Sequence, residues 1–387
     1  MKVAHVITRM IVGGAQENTL FTCLDLMHRH GDDVLLITGP ALGPAGDLMQ
    51  RMPGAGGVRT HYVDALRRAI HPVSDTRAYY GIKRALREFQ PDVVHTHSAK
   101  GGILGRLAAH ALRVPAIVHT VHGAPFGPYQ GRGARAFYQR CERYAAQRCH
   151  ALISVADAMT DLLVSANIAP REKFTTIYSG MEVEPLLFAN EHRERMRQEL
   201  GIAPEHVVIG KIARLFELKG HEYVIAAAQQ VVRSHPQARF LFVGDGILRG
   251  RYEKEIAAAN LQPYFIFAGL VPPMRIPEYL SAMDILVHCS LREGLARALP
   301  QALLAGKPAV SFDIDGAREV VKTGETGFLL PPAEVPPLVD ALSQLIADPA
   351  LRDRLGATGR ERCRQVFRHQ YMTEQIRELY QRVLGTS

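Results

Sequence analysis

The sequence has few cysteines and no long apolar run. Its 387 residues include five cysteines at irregular spacings with no C-x-x-C pair, which argues against a disulfide framework or a zinc site and fits a reduced cytoplasm. No run of about eighteen apolar residues occurs, so no segment is predicted to span a membrane. The N-terminal run MKVAHVITRM is too short for a signal peptide and is interpreted as a strand. A globular, cytoplasmic protein is therefore expected.

The positive charge lies entirely in the first half of the chain. The formal net charge is +8, and residues 1–180 contain 21 Lys+Arg against 13 Asp+Glu, whereas residues 181–387 contain 25 of each. This asymmetry predicts two domains with different partners. The basic balance of the first suits nucleic acid, an anionic membrane surface or an acidic small substrate. Nucleic acid is not indicated, because the sequence shows no known binding module or platform of stacking aromatics.

Short apolar runs alternate with helix-length amphipathic segments. Runs rich in Val and Ile are typical of buried parallel strands. The predicted strands are 3–7, 33–38, 60–63, 92–97, 116–121, 151–156 and 174–178, and then 207–213, 239–244, 265–269, 285–290 and 308–314. The alternation predicts an α/β protein with two tandem Rossmann-like domains, residues 1–185 and 186–368. A last amphipathic helix, 369–387, is expected to pack back on the first domain.

Two loops after predicted strands carry groups suited to an anion. Gly13 and Gly14 precede a helix whose free N–H groups favour a phosphate, although a tight strand–helix turn is an equal alternative. The motif is not G-x-G-x-x-G, which disfavours a nicotinamide dinucleotide. Arg214 and Lys219 follow the first strand of the second half and suit a diphosphate. Solvated surface charges are the alternative for this pair.

The most informative segment is CSLREGLARALPQALLAGKPAVSFDIDG, residues 289–316. Pro300 is tolerated in a first helical turn, so a helix is predicted to start near Arg297 or Ala298. Backbone amides from Gly294 to Arg297 would then face a bound phosphate.

Glu293 and Gln301 offer a carboxylate and an amide to a polyhydroxylated ligand. They are eight residues apart, about two helical turns, so both are expected to face one cleft. A charge that answers the helix dipole is the alternative for Glu293.

Two further patterns resemble metal sites. Asp313-Ile-Asp315 is a D-x-D string, which arises readily by chance. Four histidines crowd two predicted strand ends: His95, His97, His119 and His122. No metal is predicted, because ligands need a supporting shell that the sequence does not show. His95 and His119 are expected to be buried or hydrogen-bonded, and His97 to line a binding pocket.

Taken in order along the chain, the motifs resemble those of the retaining, nucleotide-sugar-dependent glycosyltransferases of family 4, which have the two-domain GT-B fold. The motifs are VGGAQ, VHTHSAKGG, VHTVHG, ISVADA, IYSGMEVEPL, IARLFELKG, FVGDGILRG, FAGLVPP, SLREGLARALPQALLAGKPAV, DGAREVV and TGFLLPP. The resemblance covers essentially the whole chain and implies a nucleotide-sugar site in an interdomain cleft.

The resemblance implies a role for individual residues. Gly14 would donate its backbone amide to the donor diphosphate, Arg214 and Lys219 would clamp it, and His122 would reach the transferred sugar. Glu293 matches the first glutamate of a paired motif, Glu, seven residues, Glu, and would bind a sugar hydroxyl. The other implied substrate-binding residues are Gly13, His97, Gly244, Val271, Gly294, Leu295, Ala296, Arg297 and Gln301.

The sequence departs from the family pattern in three places, of which one is Ser179, where many members have asparagine. Gln301 replaces the second glutamate, which usually bonds ribose, so uncharged and weaker bonds are expected. Asp315 stands where many members have glycine.

The expected function is retaining transfer of a hexose from an NDP-sugar, with UDP favoured, to a hydroxyl of a glycan or lipid-linked acceptor of cell-surface polysaccharide or lipopolysaccharide synthesis. No cofactor is expected. The alternatives are a non-catalytic nucleotide-sugar-binding subunit, which Gln301 motivates, and an NDP-sugar 2-epimerase of the same fold.

The segment 129–149 is basic and amphipathic, with five arginines against Glu142 alone. Such a helix could lie on anionic lipid, which predicts a peripheral location on the inner face of the cell membrane. The alternative is a solvated helix face on the first domain.

Overall fold

A computed structural model describes residues 1–42, 46–127 and 130–385. The chain divides into two compact units, Met1–Met181 with Phe367–Ser387, and Glu182–Val366. These divisions lie beside the domain boundaries drawn from the sequence at 185/186 and 368/369. None of the described helices is both long and apolar enough to cross a membrane.

The first unit is built on a parallel sheet. Its strands are β1 (Lys2–Arg9), β2 (Asp33–Gly39), β3 (Arg59–Tyr62), β4 (Val93–His97), β5 (Ala116–Val121), β6 (Ala151–Ser154) and β7 (Phe174–Thr176). Its first helices are α1 (Gly14–His30), α2 (Leu48–Arg51), α3 (Pro72–Phe89), α4 (Ala99–Ala111), α5 (Arg132–Ala146) and α6 (Asp157–Ser165). Within the described residues the seven strands have the order β3-β2-β1-β4-β5-β6-β7.

The central strands β4 and β5 are buried at every residue, as the Val- and Ile-rich runs predict. The order of the strands brings β1 beside β4, and the register sets His5 opposite His95. Polar side chains from distant parts of the sequence therefore share the centre of this sheet.

The second unit has a parallel sheet of six described strands in the order β10-β9-β8-β11-β12-β13. The strands are β8 (Val207–Ile212), β9 (Ala238–Val243), β10 (Phe265–Gly269), β11 (Ile285–His288), β12 (Ala309–Phe312) and β13 (Gly327–Leu330). The helices are α7 (Glu184–Leu187), α8 (Arg193–Glu199), α9 (His221–Ser234), α10 (Arg249–Ala258), α11 (Ile276–Ala282), α12 (Ala298–Leu304), α13 (Ala317–Val320), α14 (Val335–Ala347) and α15 (Pro349–Val366). The last strand, β13, was not predicted from the sequence.

The C-terminal helix α16 (His369–Leu384) belongs to the first unit and packs on α1, as predicted. The carboxylate of Asp25 in α1 accepts hydrogen bonds from His369 at 2.7 Å and from the Thr373 hydroxyl at 3.0 Å. The apolar face of α16 joins the core of the first unit through Met372, Ile376, Leu379 and Tyr380. Thr386 and Ser387 of the predicted helix lie outside the described residues.

Candidate functional site

Three loops meet at the carboxyl edge of the second sheet. The strands β8, β11 and β12 are parallel neighbours, so the loops that follow them, 213–220, 289–297 and 313–316, emerge side by side. The amide of Leu291 donates to the carbonyl of Leu218 at 2.8 Å, and that of Gly316 to Gly294 at 3.3 Å. The backbone itself therefore joins the segments that carry most of the predicted donor-binding residues.

Gly220 allows the first two loops to approach each other. Its φ is 69°, in the left-handed region, and a Cβ there would lie 1.8 Å from the carbonyl oxygen of Cys289. Any side chain would collide with backbone, so only glycine fits. Leu218 also has a positive φ, of 65°. Lys219 is thus held between two left-handed residues.

Lys219 and Glu293 form an ion pair across this junction. The Lys219 Nζ lies 2.6 Å from Glu293 Oε1, and each side chain is 21% exposed. Burial alone would raise the pKa of Glu293, but contact with His288 and the charge of Lys219 outweigh it and hold that pKa well below its usual range. Glu293 is therefore a carboxylate with a fixed orientation, at the edge where open parallel α/β sheets bind ligands.

His288 is a neutral neighbour of this pair. Its Nε2 lies 3.5 Å from Glu293 Oε1, although neither ring nitrogen makes a hydrogen bond within the described residues. Burial lowers the pKa of His288, so Lys219 is the cation that balances the carboxylate.

Asp315 supports Glu293 from the third loop. Its Oδ2 accepts a hydrogen bond from the Glu293 amide at 2.7 Å. Its φ of 45° is left-handed, a conformation that glycine adopts more readily than other residues. Asp313 instead accepts a bond from Arg318 at 2.9 Å. The two carboxylates of the D-x-D string thus have separate partners.

The structure corrects the argument that placed Glu293 and Gln301 two helical turns apart. The helix α12 starts at Ala298, where its start was expected, so Glu293 lies in the preceding loop and helical spacing does not relate it to Gln301. Gly294, Leu295 and Ala296 of the same loop are buried, whereas Arg297 is partly exposed. The strand β11 also ends earlier than predicted, at His288.

Other predicted residues lie along the same edge of the sheet. Arg214 is exposed in the loop after β8, with its guanidinium 5.1 Å from the Phe216 ring. Gly244 follows β9 and donates its amide to Gly269 at 2.9 Å. Val271, after β10, is partly exposed. Together with the Lys219–Glu293 pair, they line successive strand ends of one sheet.

Sequence reasoning missed a buried polar group behind this edge. Lys211 in β8 is 0% exposed, and within the described residues its Nζ has no hydrogen-bond partner. Burial lowers its pKa to about 8. The available signal was a lysine inside the apolar run VVIGKIA, since lysine is almost never fully buried unless paired.

In the first unit, the predicted residues lie near the carboxyl ends of β1, β4 and β5. Gly14 is the first residue of α1, and Gly13 before it has an extended backbone. His122 follows β5 and is partly exposed. His97 is 0% exposed, so its side chain does not line an open pocket. The expectation of a pocket-lining His97 was wrong because the side chain points among other buried histidines.

His95 and His119 are buried and hydrogen-bonded, as predicted. His95 bonds Tyr380 through Nδ1 at 2.5 Å and Thr120 through Nε2 at 2.7 Å. His119 Nδ1 lies 2.9 Å from the Thr96 hydroxyl.

Three buried histidines of the described chain, His5, His95 and His97, have ring nitrogens within 4.8 Å of one another. Binding of a metal ion there would require some of the existing hydrogen bonds of these histidines to break. Both His95 nitrogens are engaged, and His5 and His97 bond each other at 3.0 Å. The donor set fits a hydrogen-bond network better than a metal centre.

Two family models match adjacent parts of the chain. Residues 18–180 match the "Glycosyl transferase 4-like domain", and residues 192–362 match "Glycosyl transferases group 1". Together with the two parallel-sheet units, these matches define a glycosyltransferase enzyme. The chain belongs to the GT4-type glycosyltransferases and has the GT-B fold.

Similar proteins agree with this assignment. The UDP-Gal:alpha-D-GlcNAc-diphosphoundecaprenol alpha-1,3-galactosyltransferase of Escherichia coli is 28% identical over 91% of this chain and 89% of its own. Anabaena HepE, solved in complex with UDP, has a TM-score of 0.81 at 21% identity, over 98% of this chain and 99% of its own. Sucrose-phosphate synthase from Thermosynechococcus elongatus has a TM-score of 0.83 at 20% identity, over 100% of both chains.

Proposed function

We propose that this glycosyltransferase moves a hexose from a UDP-sugar to a hydroxyl of a glycan or lipid-linked acceptor in cell-surface polysaccharide or lipopolysaccharide synthesis, with retention of anomeric configuration. The observation that carries the proposal is the Lys219–Glu293 pair at the strand ends, with Arg214 in the same loop as Lys219. The name of the E. coli relative supports a UDP-sugar donor and a diphospholipid-linked acceptor. The UDP complex of HepE supports the same nucleotide.

In the proposed reaction, the anomeric C–O bond breaks and negative charge develops on the leaving diphosphate. Arg214 and Lys219 are assigned to stabilise that charge, so no metal cofactor is required. An ammonium has three N–H donors, so Lys219 can hold Glu293 at 2.6 Å and a phosphate oxygen at once. Glu293, ionised and oriented, is assigned to accept a hydrogen bond from a sugar hydroxyl.

The remaining donor contacts are assigned to the strand ends of the second unit. The backbone at Val271 would bond the base, and Gln301 would bond ribose. The amides of Gly294 to Arg297 would lie near the sugar and phosphate. An uncharged Gln301 makes weaker bonds to hydroxyls than a carboxylate does. Donor affinity is therefore expected to depend mainly on the diphosphate contacts.

The first unit is proposed to bind the acceptor. Gly13 and Gly14 lie at the start of a 17-residue helix, where free amides favour a phosphate, and His122 is assigned to the transferred sugar. Acceptor choice then depends on loops of this unit, the parts of a fold that vary most freely.

An assay of nucleotide release tests this function. With UDP-hexoses and a polyprenyl-diphosphate-linked sugar as acceptor, we expect UDP release that depends on the acceptor and continues in EDTA. Proton NMR of the product should show the anomeric configuration of the donor. Reactions without acceptor are the control. Inverted product would contradict retention, and tight UDP binding without turnover across an acceptor panel would contradict transfer.

The exposed side chains of helix α5 support membrane attachment of the basic segment 129–149. Tyr129 of this segment lies outside the described residues. Its one acid, Glu142, is buried and pairs with Arg106 at 2.8 Å. Three arginines remain exposed on it: Arg132, Arg135 and Arg140. Phe137 on the same helix is 53% exposed. Exposed cations beside an exposed aromatic suit an anionic lipid surface, and we propose peripheral attachment at the inner face of the cell membrane.

Changing Arg132, Arg135 and Arg140 together to glutamine should weaken binding to anionic vesicles about hundredfold, since each cation near such a surface contributes about 1 kcal/mol. Cosedimentation with phosphatidylglycerol-containing vesicles measures the loss. The matched control changes three exposed arginines of α15, Arg354, Arg362 and Arg364, to glutamine. Equal binding of the wild type to neutral and anionic vesicles would contradict the attachment.

A further inference from the structure

Three imidazoles form a hydrogen-bonded row in the first unit. His5 of β1 bonds His97 of β4 between Nδ1 and Nε2 at 3.0 Å. His97 bonds His122, which follows β5, between Nδ1 and Nε2 at 3.1 Å. His5 and His97 are fully buried, whereas His122 is partly exposed. The row (His5, His97, His122) therefore runs from the core of the sheet to a residue assigned to the sugar.

The buried members of the row are neutral. Burial lowers the pKa of His5 to about 3 and the pKa of His97 well below its usual value. The neighbouring His95 and His119 also have lowered pKa values, again through burial first. A neutral imidazole has one N–H and one bare nitrogen. Because both nitrogens of His97 are bonded, its single N–H points either to His122 or to His5, and it accepts from the other.

The environment of His5 Nε2, at the buried end of the row, decides between these two hydrogen-bond directions. Within the described residues, His5 Nε2 is buried without a hydrogen-bond partner. If His97 donated to His5, that Nε2 would carry a buried N–H with no acceptor. If His5 donates to His97, the same atom is a bare lone pair. Orphaned buried N–H groups are rarer in proteins than under-satisfied acceptors, so the second direction is favoured.

We propose that His97 is a positioning residue that donates its Nδ1–H to His122 Nε2 and so keeps neutral His122 in the tautomer with its proton on Nδ1. The inference rests on the proposed function only in assigning His122 to the sugar. In this tautomer only Nδ1 of His122 carries a proton, so His122 can donate a hydrogen bond through Nδ1 alone. A second proton on His122 would bind to Nε2 and face the N–H of His97. Adding it would therefore require donor and acceptor to exchange in both hydrogen bonds, His97–His122 and His5–His97.

Nitrogen NMR of the protein labelled with 15N-histidine tests the tautomer directly at pH 8. The His122 signals are assigned by their loss in His122→Gln. We expect a protonated Nδ1 and a bare Nε2 in the wild type, and in His97→Phe a shift towards the Nε2–H tautomer that free histidine prefers. A protonated Nε2 in the wild type would overturn the proposal, even if His97→Phe failed to fold.

Activity separates positioning from packing. His97→Phe should lower kcat/KM about tenfold, the scale of one hydrogen bond, whereas His97→Asn, whose amide can replace the Nδ1–H, should recover most of the loss. Equal losses in the two variants would contradict positioning. Full turnover in His122→Gln would contradict the assignment of His122 to the sugar. The tautomer of His122 would still be tested independently by the NMR experiment.

Discussion

Replacing Lys219 with alanine should lower kcat/KM about hundredfold, the effect of removing one donor that stabilises transition-state charge. The change removes a cation assigned to the leaving diphosphate. It also leaves Glu293, which is only 21% exposed, without its 2.6 Å partner. Steady-state kinetics with the UDP-sugar identified in the release assay measure the loss.

A control variant and a pH profile separate the loss of the diphosphate contact from the loss of the partner of Glu293. Lys254→Ala, on the exposed face of α10, is the matched control and should leave turnover unchanged. In Lys219→Ala the pKa of Glu293 should rise, because burial then acts without the opposing lysine. The variant should consequently lose activity on the acid side at a higher pH than the wild type. Turnover within about twofold of the wild type would contradict the assignment of Lys219 to the diphosphate.

Replacing Lys211 with methionine should stabilise the protein at pH 7. Burial lowers the pKa of Lys211 from 10.5 to about 8, which corresponds to a penalty of about 3 kcal/mol for keeping it charged. Methionine fills similar space without the charge. For a unit of this size we expect the melting temperature of the second unit to rise by about 5–10 °C.

The pH dependence of this gain gives its signature. Unfolded Lys211 holds its proton up to about pH 10.5, whereas folded Lys211 releases it near pH 8. Between these values the unfolded state binds more protons, so wild-type stability rises with pH. The advantage of Lys211→Met is therefore complete below pH 8 and vanishes above about pH 10.5. Calorimetry across this range measures it, with Lys254→Met as the surface control, and a destabilised variant would show that the ammonium has a favourable partner.

Sequence periodicity predicted most strands because a parallel sheet buries both faces of each strand. The exception, β13, has only four residues, of which the first is Gly327, and two prolines follow it. Its apolar run is too short to be predicted as a strand. The α16 helix was predicted because an amphipathic helix with no following strand needs an apolar surface to cover.

The candidate site was less accessible from the sequence. Lys219 and Glu293 were both named, but their pairing spans 74 residues and follows only from β8 lying beside β11. His5 was missed for the same reason, since its partner His97 is 92 residues away and becomes a neighbour only through strand order. Lys211 was missed because the apolar pattern of residues 207–213 predicts a buried strand but does not show whether a lysine within it has a partner.

The contact at Gly220 also limits how this enzyme can diversify. A Cβ there would strike the Cys289 carbonyl, so no other amino acid can occupy the position while the two loops keep their spacing. If the donor binds as proposed, substitutions that change donor specificity are expected at positions around this junction, such as Arg297 or Gln301, and not at Gly220. The close approach of the two loops at Gly220 thus leaves engineering of this site to the positions around it.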